Sequence, residues 1–362
     1  MVDDLEVFEQ NYPELVAIDT CGRTREQKIE FLLQEREEMR NLTTATKIAH
    51  NVYLGNSADV YNSVAEYVDV NGRPATKGFD VVIECKDVVE IASRATLKDI
   101  ESFLDGTAVD VPASKLGAWY QKSLTRPMAL EFPANTSLPN SKFDPEAVVS
   151  FCAWVHHIAH TQVVRHTGAD AMTEILSDNP ATHRHVLIHC QDGYTESTFL
   201  ALAYLIYAEG ISAHEAWVKL HTELNRSFFA FDSDLKSLTF LQSYLLAQSP
   251  ADQSAGRLKT PSPAPLWFNS SQFDGSFPSR ILPHMYLGNL QHANNPEMLR
   301  TLGITRVLSI GEAVVWDTEK EQLDGMHLMY LDNVQDNGID PLLDSIDPCL
   351  DFLGIPPLLN RF

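Results

Sequence analysis

Positive charge is scarce in this chain of 362 residues, where 27 Lys and Arg face 49 Asp and Glu for a formal net charge of −22. That balance argues against nucleic acid or an anionic membrane surface as partner, since both are held through clustered cations. The pattern of a leader is lacking as well. The opening Met1-Val2-Asp3-Asp4-Leu5-Glu6 is acidic, not basic-then-apolar, and no apolar run approaches membrane-spanning length. Paired cysteines are missing too. Cys21, Cys85, Cys152, Cys190 and Cys349 are odd in number and widely spaced, with no CxxC among them. This excludes a zinc knuckle or a disulfide framework and fits a reducing compartment, cytoplasmic or nuclear. No Gly-rich nucleotide loop occurs, and neither a cofactor nor a metal is expected. What is present supports a globular protein: a 44% hydrophobic content is enough for real cores, and the length suits two domains of ordinary size.

The most informative stretch is Val186-Leu187-Ile188-His189-Cys190-Gln191-Asp192-Gly193-Tyr194-Thr195-Glu196-Ser197. An apolar run rich in β-branched residues ends in His-Cys, a glycine-bearing loop follows, and Thr198 to Ala208 is apolar without Gly or Pro. The pattern predicts strand, loop and helix. In that arrangement the loop sits at a helix N-terminus, where unpaired N–H groups and the positive dipole end converge to cradle an anion. A cysteine there acquires a lowered pKa and becomes a thiolate nucleophile.

Four segments are expected along the chain. Residues 1–45 form an N-terminal arm with a helix from Arg23 to Arg40, Thr24 being its N-cap. Residues 46–247 form an α/β domain with a central, mostly parallel sheet in three layers. Its expected elements are strands at Ile48–Asn56, Gly78–Cys85, Met128–Phe132 and before Cys190, and helices over Ala92–Phe103, Asp144–Val164, Thr198–Ala208 and Asp234–Ala247. Gly210 stops the helix after the loop, and Ser212-Ala213-His214-Glu215 opens the next as a capping box. Residues 248–279, with Pro250, Pro261, Pro263, Pro265 and Pro278 among many Ser, Gln, Asp and Asn, read as an exposed linker. Residues 280–362 begin a repeat. Ile281-Leu282-Pro283-His284-Met285-Tyr286-Leu287-Gly288-Asn289 matches Ile48 to Asn56, Gly303 to Ile310 answers Gly78 to Cys85, and Met326 to Asp332 answers Met128 to Ala134.

The order of these elements, with Tyr-Leu-Gly-Asn in the first strand and His-Cys before the loop, resembles the dual-specificity protein phosphatase domain. Two copies in tandem look like a fungal tandem-domain member of that family. The resemblance implies hydrolysis of phosphotyrosine and phosphoserine/threonine through a Cys thiolate, with a phosphoprotein or other protein as partner. The family mechanism needs a thiolate, an Arg that chelates the phosphoryl oxygens, and an Asp that protonates the leaving oxygen.

Carried over by position, the nucleophile is Cys190 and the phosphate loop is His189, Gln191, Asp192, Gly193, Tyr194, Thr195, Glu196 and Ser197. Glu196 stands where the family has Arg, and the repeat alignment puts Ala134 at the acid position. Both departures imply that the first copy is inactive, leaving a pseudophosphatase that serves as an interaction or regulatory module. The second copy keeps an acid, Asp332, but is expected to be incomplete, since no second His-Cys loop precedes Phe362. His156 and His160 share a helical face at metal-ligand spacing but lack the Glu of a metalloprotease motif, and they read as a packed or solvated helix face.

Overall fold

The computed structural model describes residues 40–68, 74–105, 127–134, 144–163, 182–251, 260–282, 284–316, 325–332 and 343–354, together with scattered positions before residue 40 and residue 334. A short helix α1 (Leu5–Asn11) precedes the hairpin of β1 (Thr46–Ala49) and β2 (Val52–Asn56). A second hairpin joins β3 (Ser63–Val68) to β4 (Pro74–Gly78). There follow β5 (Val81–Lys86), α2 (Arg94–Leu104), β6 (Met128–Pro133) and α3 (Pro145–His160). The two-residue strands β7 (Gln162–Val163) and β8 (Thr182–His183) lead to β9 (Val186–Cys190), α4 (Thr198–Glu209), α5 (Ala213–Val218) and α6 (Asp232–Ala247). Beyond these lie β10 (Ser279–Leu282), β11 (Met285–Leu287), α7 (Leu290–Ala293), α8 (Pro296–Thr301), β12 (Arg306–Ile310), β13 (His327–Leu331) and α9 (Leu343–Leu353).

The main sheet has the order β1-β2-β9-β5-β6. Strands β2, β9, β5 and β6 are parallel, and β1 is antiparallel at one edge. This is the mixed α/β architecture with a central, mostly parallel sheet that the alternation of elements predicts. Strand β9 lies at its middle, and all five of its residues are buried, as a continuous apolar run in a parallel sheet requires.

The two faces are unequal. Val52, Leu54, Val81, Ile83, Val186 and Ile188 point into the large core shared with α2, α3, α4 and α6, whereas Tyr53, Phe79, Val82 and Leu187 form a small cluster on the opposite side. Among the described residues that second cluster is joined by Ala45 and by Val60 of the 3-10 turn Ser57–Tyr61, and by no α-helix. Helix α4 is buried from Thr198 through Tyr207, because an element that is apolar all round has no face to give to water. Gly210 ends it at φ 64°, in the left-handed region that glycine enters without a Cβ clash. The Ser212/Glu215 capping box opens α5, with Ser212 N donating to Glu215 Oε2 at 2.6 Å.

Two sequence expectations meet a different outcome, and a third lies mostly outside the described residues. Ile48 to Asn56 is a hairpin, not one strand: Asn51 turns the chain at φ 54°, a conformation that Asn tolerates better than most residues. Most of the helix expected over Arg23 to Arg40 lies outside the described residues, and Thr24 makes an isolated bridge to Ile18. The segment expected as an exposed linker is packed along much of its length, since Trp267, Phe268, Phe273 and Phe277 are all buried. Trp217 Nε1 of α5 donates to the Gly275 carbonyl at 2.9 Å, and Ser262 N donates to Ser212 Oγ at 2.6 Å. Four aromatics outweigh the prolines around them because each large ring buries far more apolar area than a Ser or Gln contributes in polarity.

The second hairpin reproduces the first. Ser279, Arg280 and Leu282 pair with Leu287, Tyr286 and Met285, just as Thr46, Lys47 and Ala49 pair with Leu54, Tyr53 and Val52, and both ladders shift register at the same place. Asn289 caps the following helix through a capping box with His292, as Asn56 caps its own turn with Asp59. Strands β12 and β13 are parallel, like β5 and β6.

Candidate functional site

Strand β9 delivers Cys190 to the C-terminal edge of the parallel sheet, the edge at which open α/β sheets place their ligands. Its neighbour across the ladder is Asn56, at the end of β2. The Tyr-Leu-Gly-Asn sequence of that strand has a physical reason. A Cβ on Gly55 would lie 2.6 Å from Asp59 Oδ2 and 3.0 Å from Leu187 Cδ1, so a side chain there would displace the Asp59 carboxylate. The Asn56 side chain accepts from Ala58 N and donates to the Arg40 and Thr43 carbonyls, while its backbone N–H donates to Asp59 Oδ2.

The loop folds directly onto this platform. Gly193 adopts φ 68°, and a Cβ there would meet the Gly55 carbonyl oxygen at 2.6 Å. The Gly193 N–H points inward and donates to Cys190 Sγ at 3.2 Å, and Ser197 Oγ lies 3.3 Å from the same sulfur. Ser197 precedes α4 without capping it, its hydroxyl being turned toward the thiol instead. The loop is thus an inward-facing nest of donors closed around one cysteine.

The charges around that nest, an exposed Asp192 and a half-buried Glu196, have the wrong sign for a phosphate. Asp192 Oδ1 accepts from the Tyr194 N–H at 2.8 Å and from the Cys190 thiol at 3.2 Å, so the loop's own carboxylate occupies a donor an external oxyanion would use. Glu196, half-buried, accepts from Thr195 Oγ1 at 2.8 Å. Carboxylate oxygens of Asp192 and Glu196 and the Cys190 sulfur all lie within 4.8 Å of one another. Cys190 is 1% exposed. Burial pushes its thiol above the ordinary value; the Ser197 hydroxyl acts against this, and the Asp192 carboxylate adds to it, so the net shift is upward. The thiol is therefore held protonated, opposite to what a nucleophile at a helix N-terminus needs.

Beneath the loop sits Arg226, which the sequence reading did not single out. Its guanidinium is 1% exposed and donates to the carbonyls of Thr43, Thr44 and Gly193 at 3.0, 2.6 and 2.7 Å and to Thr46 Oγ1 at 3.3 Å. Burial lowers its pKa to about 10, while Asp59, Cys190 and Asp192 act to raise it. Arg226 is a clamp that ties the loop to the segment before β1: its two terminal nitrogens donate to carbonyls underneath the nest, while its buried Nε has no hydrogen-bond partner among the described residues. It does not replace the cation absent at Glu196. No local pattern announces it, because its partners lie 33 to 183 residues away in sequence.

His189, on the opposite face of β9, is buried and holds a Nδ1 without a hydrogen-bond partner among the described residues. Burial lowers its pKa. Gln191 is exposed, and Tyr194 and Thr195 are half-buried.

Asp332 is not brought to this site. It stands exposed just past β13, in a separate two-stranded sheet. The ladders also adjust its counterpart. Arg306 pairs with His327 as Val81 pairs with Met128, and on that register Asp332 falls on Pro133, one residue before Ala134. The burial pattern agrees: Met329 and Leu331 match the buried Leu130 and Phe132. A slip of one residue exchanges the faces of a strand, which a match of Met-x-Leu letters does not detect. Neither Pro133 nor Ala134 carries an acid.

Among known proteins the chain is 25% identical to Dual specificity protein phosphatase PPS1 of Saccharomyces cerevisiae, across 97% of this chain and 53% of the yeast protein. The relationship is to a dual-specificity phosphatase, and it is distant. No family model matches the chain. The chain thus spans about half the length of its yeast relative. Among the described residues no helix is long and apolar enough to cross a membrane.

Proposed function

We propose that this chain is a dual-specificity phosphatase relative, carrying a second, partial copy of the domain, whose Cys190 loop no longer hydrolyses phosphomonoesters and serves as a protein-interaction or regulatory module. The single observation that carries this reading is the pair of carboxylates, Asp192 and Glu196, packed against the thiol.

Hydrolysis through cysteine requires sulfur to attack phosphorus as the leaving oxygen departs with a proton, and each part of that step lacks its residue here. The thiol is buried and its pKa raised. The charge that should spread onto a bidentate cation meets Glu196. The leaving oxygen finds Pro133 or Ala134 where a carboxylic acid would supply its proton. Phosphotyrosine or phosphoserine/threonine hydrolysis of the kind named for the yeast relative would need a loop other than that of Cys190. Recognition then falls to the surface of the domain, with a phosphoprotein or another protein as partner.

The test is hydrolysis of an aryl phosphate by the full chain. The expected rate is that of buffer alone, unchanged by Cys190→Ser. Turnover that disappears in that variant would overturn the proposal.

A further inference from the structure

Three alternate prolines make residues 260–265 a short strap beside helix α5. The run Thr260-Pro261-Ser262-Pro263-Ala264-Pro265 belongs to no helix or strand, with Thr260 and Pro263 exposed and Ser262 half-buried between them. A residue that precedes proline is confined to extended backbone, so Thr260, Ser262 and Ala264 are all held in the form in which a peptide lies along an enzyme cleft. Ser262 ties the strap down. Its N–H and its hydroxyl both donate to Ser212 Oγ, at 2.6 and 2.8 Å, and Ser212 is the buried N-cap of α5.

We propose that Ser262 is a phosphorylation site for a serine/threonine kinase that selects proline after its acceptor, and that the phosphate releases the strap from α5. The pair Ser262-Pro263 supplies both the acceptor and the selected residue. In the transfer the Ser262 O–H bond breaks and an Oγ–P bond forms; the bond from the γ-phosphorus of ATP to its bridging oxygen breaks, ADP keeps the electron pair, and the hydroxyl proton passes to a base of the kinase. The hydroxyl reacts while the strap is lifted, since in the docked strap it is committed to Ser212. A surface segment outside any helix or strand opens locally at low cost, and the ester then captures the lifted state.

Charge then blocks redocking. The phosphate puts close to two negative charges where the strap had a hydroxyl donor, and its surroundings are poorly suited to receive them. Glu215 stands across Ser212 and already takes the Ser212 N–H at 2.6 Å, while the Ala213 N–H is taken by Gln242 Oε1 at 3.1 Å. Two N–H groups at the start of α5 that could receive an anion are therefore occupied, one of them by a carboxylate. Lys219, in the groove beside the strap, is paired with Glu209 at 2.6 Å and Glu223 at 3.5 Å, and burial holds His214 toward its neutral form. Pro263 and Pro265 line that groove together with His214, Glu215 and Val218, so release of the strap takes away one of its walls and bares this part of α5.

The experiment is incubation of the full chain with a proline-directed serine/threonine kinase and MgATP, with the phosphate located by mass spectrometry and the strap followed by amide hydrogen exchange. Phosphate is expected on Ser262, retained in Thr260→Ala and lost in Ser262→Ala and in Pro263→Ala. Pro261 and Pro263 carry no N–H, which isolates the Ser262 amide in a peptide spanning the strap, and its exchange is expected to quicken at least tenfold on phosphorylation as the bond to Ser212 Oγ is lost. No phosphate on Ser262, including the case in which Thr260 alone is modified, would overturn the inference. So would phosphate on Ser262 that persists in Pro263→Ala, or a phosphorylated chain whose Ser262 amide exchanges as slowly as before.

Discussion

Replacing Glu196 by Arg is the sharpest perturbation of the loop, because it reverses one charge while leaving the backbone nest alone. The Glu196 carboxylate lies within 4.8 Å of Cys190 Sγ, next to where a bound oxyanion would sit. At that separation one unit-charge pair is worth about 3.5 kcal/mol at an effective dielectric of 20, so a swing from −1 to +1 changes the interaction with each anionic charge by about 7 kcal/mol. Glu196 is half-buried and the nest is partly open, so solvent screening takes most of this. Retaining a third leaves about 2.3 kcal/mol, or roughly fiftyfold in affinity. Tungstate, an unreactive phosphate mimic, provides the assay. Calorimetric titration of the full chain is expected to show no binding at millimolar concentration in the unaltered protein and at least fiftyfold tighter binding in Glu196→Arg. Adding Asp192→Asn should tighten it again by freeing the Tyr194 N–H. Equal tungstate affinity in the unaltered chain and in Glu196→Arg would refute the electrostatic account of this loop.

Three further outcomes follow from the same geometry. Arg226→Ala leaves three carbonyls and the Asp59 carboxylate without their buried cation and should cost about 3–5 kcal/mol in urea unfolding; Arg226→Lys, which cannot span the same fork of acceptors, should recover less than half. Gly193→Ala forces a Cβ to within 2.6 Å of the Gly55 carbonyl in a left-handed backbone, and a loss of about 2–4 kcal/mol by the same measurement is expected. His221 is buried and its pKa is pushed down to about 4, first by burial and then by Arg280 and His292. The unfolded chain therefore binds the extra proton between pH 6.5 and 4. Stability should fall as pH drops through that window, by up to about 3 kcal/mol, and His221→Gln should flatten the slope of melting temperature against pH.

The sequence announces the centre of the fold more clearly than its supports. The strand before Cys190, the loop and α4 are legible because a buried parallel strand and an all-round apolar helix leave unbroken hydrophobic runs, and Glu196 is legible because a loop position has a fixed spacing from its cysteine. The hairpin at Asn51 was not legible, since no glycine marks it and Asn enters the left-handed region without a sequence signal of its own. Composition misled at residues 260–279, where prolines and serines hid Trp267 and Phe277. Arg226 could not be read at all. A buried cation is defined by who surrounds it, and Thr43, Thr44 and Gly193 converge on it only after the chain has folded.

The packing of Trp267, Phe268, Phe273 and Phe277 bears on how this protein can be cut and how it melts. These rings share one continuous apolar core with Trp217 and Leu220 on one side and with Met298, Leu299 and Val307 on the other, and His221 contacts both Phe277 and Tyr286. Residues 279–307 are joined to the main α/β unit by a hydrophobic seam, not by a tether. An expression fragment ending at residue 247 would leave Trp217 facing water, and the intact chain should unfold as one cooperative unit across this seam. Dividing this protein after residue 247 is therefore a cut through a core, and the fragments are poor guides to the behaviour of the whole.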